Sequence, residues 1–328
     1  MHPVIDVHTH MFTKRWLALL RQHGGPDLEV RESLDSPETV FYKGASFCVL
    51  EPPHFDYYVR IESMDAAGVD IAILTLPAPS VFWGSSKQSL DAARAANDEF
   101  AEEARNHPGR IRWMASLPWE HPELAVQELE RACDNGAVGV LTLGNINARH
   151  LTDELFAPVW RAIDDRALPV LLHPTVPPGL EALGLSHFAM VASVGFMVDT
   201  TVAVTRMIFD GFFDSYPSVK LIAAHAGGTL PYLAGRLERV FDRTRRARVK
   251  IERPPSEYLK HIYYDAVTYH QESLDLCVKV GGADHVLYGS DYPFNIGDMP
   301  GCLARVDKLD PATREAVRGA NAARIFGL

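Results

Sequence analysis

Val4-Ile5-Asp6-Val7-His8-Thr9-His10 opens the chain with an apolar run that ends in two histidines. The same design recurs downstream. Val170-Leu171-Leu172-His173-Pro174 and Leu221-Ile222-Ala223-Ala224-His225 each close in His, and Val286-Leu287-Tyr288-Gly289-Ser290-Asp291 closes in Asp. Short apolar runs of this kind read as buried strands. The runs at 4–7, 71–76, 111–117, 137–143, 169–173, 221–225, 262–265 and 286–290 make eight. Longer amphipathic stretches at 89–106, 122–135, 153–166, 198–215 and 230–245 read as helices between them. Apolar strands alternating with helices imply a parallel sheet covered on both faces. Eight such units predict an α/β fold of the (β/α)₈ TIM-barrel type.

The punctuation agrees with this reading. Asn135-Gly136 and Asn106-His107-Pro108-Gly109 stand where helices should stop, and Thr152-Asp153 offers an N-cap. The stretch from about 11 to 60, with Gly24-Gly25-Pro26 and Glu51-Pro52-Pro53, reads as a long irregular insertion after strand one that partly covers the barrel mouth. A second irregular stretch, 173–193, holds Pro177-Pro178-Gly179 and reads as another loop over the same mouth. No repeat or low-complexity linker divides the chain, so 1–328 is expected to be a single domain.

Bulk properties narrow the classes. A chain of 328 residues suits a barrel with insertions, and 47% hydrophobic with 23% charged residues is a globular composition. The net charge of −10 argues against nucleic acid or an anionic membrane as partner. The basic run Arg243-Thr244-Arg245-Arg246-Ala247-Arg248 is short and reads as a solvated helix face. Cys48, Cys133, Cys277 and Cys302 are scattered without a C-x-x-C pair, as expected of reduced thiols in the cytoplasm. Met1-His2-Pro3-Val4 begins no signal-peptide pattern, and no apolar run reads as approaching the roughly 18 residues that span a bilayer.

The chemistry sits at the strand ends. Side chains two apart on a strand share a side, so His8 and His10 are expected to converge where a barrel keeps its active site. Two converging imidazoles are half of a site for Zn²⁺, Mn²⁺ or Fe²⁺. His173, His225 and Asp291 end strands five, six and eight, and all these ends open onto one mouth. Five titratable groups placed this way point to a metal centre. Asp6, on the first strand, reads as turned away from the histidines, in a second layer or at the barrel bottom. Asp199 reads as an N-cap, while His54, His121 and His270 read as surface or loop residues. Trp83, Phe294 and His187 are candidates for an apolar pocket lining.

Seven motifs run almost the length of the chain: Ile5-Asp6-Val7-His8-Thr9-His10, Arg60-Ile61-Glu62-Ser63-Met64-Asp65, Leu172-His173-Pro174, His225-Ala226-Gly227-Gly228, Gly235-Arg236, Pro254-Pro255-Ser256-Glu257-Tyr258 and Gly289-Ser290-Asp291-Tyr292-Pro293-Phe294. Together they resemble the amidohydrolase superfamily, in the branch of 2-amino-3-carboxymuconate-6-semialdehyde decarboxylase and related metal-dependent decarboxylases. The resemblance implies that His8, His10, His173 and Asp291 ligate one divalent metal, usually zinc and sometimes manganese, with no organic cofactor. It implies that His225 is the catalytic proton shuttle rather than a main ligand, with Asp291 able to share that work. No strand-ending Lys is visible that could bridge a second metal.

One departure bears on the substrate. The decarboxylase after which this branch is named carries an Arg after a Phe in the first insertion, to grip a carboxylate; the aligned pair here is Phe47-Cys48. A thiol does not replace a bidentate guanidinium, so a different substrate is expected. The branch's second substrate Arg, contributed across a dimer interface, matches Arg236, which makes a homodimer an expectation of the resemblance. Substrate contacts are therefore expected from Arg236, Phe294, Trp83 and Cys48. The expected activity is release of CO₂ from a small unsaturated or aromatic carboxylic acid. The alternative is a hydrolase or hydratase acting on a lactone, amide or C=C bond at the same metal.

Overall fold

The structure is a computed structural model. It describes residues 2–328 apart from 26–27, 33–37 and 43–44, and of 45–47 the backbone alone. Among the described residues the strands are β1 (Ile5–His10), β2 (Leu28–Arg31), β3 (Thr39–Tyr42), β4 (Ala45–Val49), β5 (Ile71–Thr75), β6 (Ile111–Ala115), β7 (Gly139–Leu143), β8 (Pro169–His173), β9 (Lys220–Ala223), β10 (Tyr263–Asp265) and β11 (Val286–Leu287). Eight of them form one parallel sheet in the order β1-β5-β6-β7-β8-β9-β10-β11. The last strand's continuation returns to the first: Val7 N donates to Tyr288 O at 3.0 Å and His10 N to Tyr292 O at 2.8 Å. The ring is thereby closed as a (β/α)₈ TIM barrel.

Inward-facing Ile5, Val7, Ile73, Met114, Leu141, Leu171, Ile222 and Leu287 pack as one buried layer in the barrel floor. Ala322, Ile325 and Phe326 of the C-terminal helix Asn321–Phe326 plug it from below. Outward-facing partners such as Ala72, Leu74, Val140 and Leu172 pack under the surrounding helices. The strands are therefore apolar on both faces, and that is why they read as continuous runs.

Plain alternation does not explain β1. Alternation by itself would put Asp6 on the face of His8 and His10, with Val7 opposite, so it is not alternation that turns Asp6 away as the sequence reading held. Instead Asp6 pairs with Ala72 and Thr9 with Leu74, so two residues of β1 span one of β5. This bulge turns Val7 into the floor and His8 into the layer above it, and leaves Asp6 outside. A bulge beside a site re-aims side chains in this way.

The stretch from 11 to 60 is more regular than its sequence suggests. It holds a helix, Lys14–His23, and an antiparallel sheet in the order β2-β3-β4. Its Gly24-Gly25-Pro26 turn falls partly outside the described residues. The helix expected at 198–215 is split into Phe196–Phe209 and Phe212–Ser215 by Gly211, whose φ of 76° ends a helix. A π-turn at Val191–Gly195 extends the first piece upstream. The resulting Val191–Phe209 helix has 19 residues and is long and apolar enough by composition to cross a membrane, contrary to the sequence expectation. Its most apolar 18-residue stretch is 44% buried, because its apolar side packs into the barrel wall.

Truncating the barrel floor tests this packing. Leu171→Ala removes a fully buried side chain and should cost about 3 kcal/mol. Urea unfolding checks it; a loss below about 1 kcal/mol would contradict the packed floor.

Candidate metal centre

The layer above the floor holds His8, His10, Thr75, His173 and Asp265 at their strand ends, all buried. Asp291 follows β11 and completes the group. Its φ of 59° is left-handed, which is unfavourable for a residue with a side chain. Hydrogen bonds hold it there: Asp291 N donates to His8 O at 2.8 Å, and the Ser290 hydroxyl donates to Asp6 Oδ2 at 2.5 Å. Gly289 lets the chain pass between neighbours, since a Cβ there would lie 2.9 Å from that of His8 and 3.1 Å from that of Asp265. Arg60, fully buried, donates to Thr9 Oγ1 at 2.6 Å and to His10 O, which fixes the end of β1.

His8, His10, His173 and Asp291 offer ligand atoms that all lie within 4.8 Å of one another. Asp291 Oδ1 is 3.3 Å from His8 Nε2, 3.3 Å from His10 Nε2 and 4.0 Å from His173 Nε2. Ligands about 2.1 Å from a tetrahedral ion sit about 3.4 Å apart. All four atoms are buried and have no hydrogen-bond partner.

The opposite nitrogens explain which way the lone pairs face. His8 Nδ1 meets Asp265 Oδ2 at 2.5 Å and His173 Nδ1 meets Pro174 O at 2.8 Å. Carbonyls and ionised carboxylates only accept, so both Nδ1 atoms carry the proton. His10 Nδ1 meets Thr75 Oγ1 at 2.8 Å, and that hydroxyl spends its own proton on Thr9 O at 3.1 Å. Thr75 therefore accepts as well. Three Nε2 lone pairs and one carboxylate oxygen converge, a donor set that fits one divalent ion.

The electrostatics match this donor set for Asp291, His10 and His173, while His8 must first give up a proton. Burial works to raise Asp291, yet its contacts with His10, His173, His225 and His8 hold it well below its ordinary range. Burial lowers His10 well below its ordinary value and takes His173 to about 4, so both are neutral at pH 7. Burial also acts to lower His8, but the charge and hydrogen bond of Asp265, then Asp291, outweigh it and push the ring up to about 10.

His225 stands one step off. Its Nε2 lies 3.3 Å from Asp291 Oδ2, not from the Oδ1 that meets the imidazole trio, and its Nδ1 is buried without a partner. The strand expected to run through 225 stops at Ala223, and His225 and Ala226 have φ of 55° and 53°. This turn rests on Asp265, whose carboxylate accepts from His225 N at 2.9 Å and Ala226 N at 3.0 Å. Asp265 is the functional residue that the motif reading missed. The signal was present, because it ends its apolar strand as His173 ends its own.

The expected substrate residues are distributed less evenly. Phe294 is 5.4 Å from the His10 ring, centroid to centroid. Cys48 reaches that wall through His54: its Sγ is 3.6 Å from His54 Nε2, and the His54 ring lies 5.8 Å from Phe294. Burial pushes the thiol up to about 12, so it stays protonated. His54, expected to be a surface or loop residue, does lie in a tight turn, Pro52–His54, but is buried there, because the turn packs it against Phe12 and Phe294. Phe47's side chain lies outside what the structure describes. Trp83 donates to Ser80 O and lines a surface cavity with Leu19, His23 and Lys87 that shares no residue with the metal group. Arg236 is exposed on the helix Leu230–Arg243. His187 is exposed too. Asp199 is no N-cap: it sits inside the helix Phe196–Phe209 and accepts from Asn145 Nδ2 at 2.8 Å and Thr175 N at 2.9 Å, anchoring the chain after His173.

Comparison with known proteins gives this geometry its family. The sequence model described as Amidohydrolase matches residues 5–328. The chain belongs to the amidohydrolase family. It is 29% identical to 2-amino-3-carboxymuconate-6-semialdehyde decarboxylase of Dictyostelium discoideum over 99% of this chain and 91% of that protein. It is 31% identical to gamma-resorcylate decarboxylase of Polaromonas sp. over 82% of this chain and 86% of that one. Among solved structures, 5-carboxyvanillate decarboxylase of Novosphingobium aromaticivorans, complexed with manganese and 4-hydroxy-3-methoxy-5-nitrobenzoic acid, superposes with a TM-score of 0.84. It is 25% identical, covering 100% of this chain and 96% of that one. The family expected from the motifs is the family found.

The raised His8 sets a pH prediction. Cation binding needs its Nε2 free, so a proton must leave below pH 10, whereas His10 and His173 are already neutral. Between pH 7 and 9, zinc uptake should release about one proton and tighten about tenfold per pH unit. Calorimetry in buffers of different ionisation enthalpy measures this. Uptake without proton release would contradict the arrangement.

Proposed function

We propose that the protein is a non-oxidative decarboxylase that releases CO₂ from a small aromatic or unsaturated carboxylic acid. The observation that carries this reading is His225, set against Asp291 beside a complete cation-binding group, in a chain whose relatives over nearly its full length are named decarboxylases. His8, His10, His173 and Asp291 would hold the ion, with zinc favoured by three imidazoles and manganese the alternative, as in the carboxyvanillate enzyme. When bound, the ion supplies a fixed positive charge and Lewis acidity toward the substrate's oxygens.

The chain's own residues supply the rest. His225 gives a proton to the carbon that bears the carboxylate. The bond to the carboxylate then breaks, its electron pair returns to the ring or double bond, and CO₂ leaves. A proton has replaced CO₂, so no oxidant, reductant or organic cofactor is required. Asp291, through Oδ2, orients His225 and stabilises it while charged. Phe294 beside His10 offers an apolar face for a flat substrate. Cys48 and His54 stand behind it as an uncharged wall, which suits a substrate without a second carboxylate there.

Three broader features belong to the same reading. Residues 1–328 act as one domain. The four cysteines, unpaired with one another, fit a reducing cytoplasm. The functional unit is a homodimer: Tyr232, Arg236 and Val240 form one exposed stripe four residues apart, an apolar and basic face suited to a second copy.

Activity decides the proposal. The metal-loaded protein should release CO₂ from at least one member of a panel of hydroxybenzoates and muconate semialdehydes. His225→Asn should keep the metal and lower kcat by about 10²-fold or more. Turnover of lactones or amides alone would refute the lyase reading, and loss of metal in His225→Asn would make His225 a ligand.

A further inference from the structure

Each imidazole of the metal group is steadied from behind, but not by equivalent partners. His10 leans on a hydroxyl and His173 on a backbone carbonyl. His8 leans on a fully buried carboxylate, and that carboxylate is not dedicated to it. Asp265 Oδ2 takes both His8 Nδ1 at 2.5 Å and His225 N at 2.9 Å, while Oδ1 takes Ala226 N at 3.0 Å and Val267 N at 3.0 Å. Four donors saturate two oxygens, so Asp265 has no acceptor capacity left for solvent or substrate.

We propose that Asp265 is a positioning residue that ties the cation-holding nitrogen of His8 to the placement of the proton-transferring His225. The proposal rests on the decarboxylase reading for the role of His225, and on this chain's geometry alone for the coupling. Two effects come from one group. In the neutral ring the carboxylate obliges His8 to carry its proton on Nδ1, so that Nε2 is the nitrogen left for the cation. The same carboxylate holds His225 and Ala226 in left-handed backbone, which is unfavourable for residues with a side chain and persists only when over-determined by neighbours. Without the two N–H bonds the turn relaxes toward the extended path of β9. His225 Nε2 then leaves its place 3.3 Å from Asp291 Oδ2. Asn cannot substitute: its amide nitrogen brings donors to a place that already holds four, so either His8 changes tautomer or the turn loses its acceptor.

The experiment compares Asp265→Asn with Thr75→Val, which removes the partner of His10 but touches no left-handed turn. Zinc affinity is read by competition with a chromophoric chelator, and backbone amide exchange by NMR. Both variants should bind zinc about 10–100-fold more weakly. Only Asp265→Asn should lose exchange protection at the amides of His225 and Ala226. The proposal is overturned if Asp265→Asn keeps its zinc affinity within about twofold, keeps that protection, or shares its loss with Thr75→Val. Should Asp265→Asn fail to fold, the zinc-loaded parent decides. ¹⁵N NMR must find the His8 proton on Nδ1 and both amides must exchange slowly; failure of either overturns the coupling. None of these readouts depends on CO₂ release, so an inactive parent would sink the decarboxylase reading alone.

Discussion

Three imidazole nitrogens and one carboxylate oxygen, buried with no hydrogen-bond partner, are the constraint from which the rest of this structure follows. Leaving one such group unpaired away from water costs about 1–3 kcal/mol, and more where charge is involved. Four at one point is not an arrangement that packing alone would keep. A cation satisfies all of them together. The surrounding hydrogen bonds are consistent with that end, since every Nδ1 is turned outward onto an acceptor.

The barrel meets the constraint by departing from its own regularity at three places. A bulge in β1 brings His8 into the interior without surrendering Val7 from the floor. Left-handed backbone follows β9 at His225 and β11 at Asp291. In both cases the turn is secured by a buried carboxylate on an adjoining strand, Asp265 directly and Asp6 through Ser290. The left-handed residues His225 and Asp291 stand where the chemistry is, and their stabilisation comes from the strand ends around them.

Much of this was legible in the sequence. The eight apolar runs identify the barrel, because parallel strands buried on both faces leave no alternation to confuse them with surface structure. The polar residues that terminate those runs identify the site, since strand ends open onto one mouth. Other features were hidden for physical reasons. A bulge is a property of pairing between β1 and β5 and leaves no mark on β1 alone. Asp265 obeyed the strand-end rule but carried no motif that separated it from an ordinary turn residue. His54 sits in a Pro-rich segment that looks solvated, and only the fold brings Phe12 and Phe294 around it. The regular sheet within 11–60 pairs strands too short for a clear period.

The most direct test of the central claim is a crystal structure of the protein loaded with zinc, with anomalous data collected on both sides of the zinc absorption edge. The account predicts one strong peak per chain, about 2.0–2.2 Å from Nε2 of His8, His10 and His173 and from an oxygen of Asp291. A site with no peak, or a zinc ion held by other residues while these four atoms remain turned toward an empty centre, would contradict it.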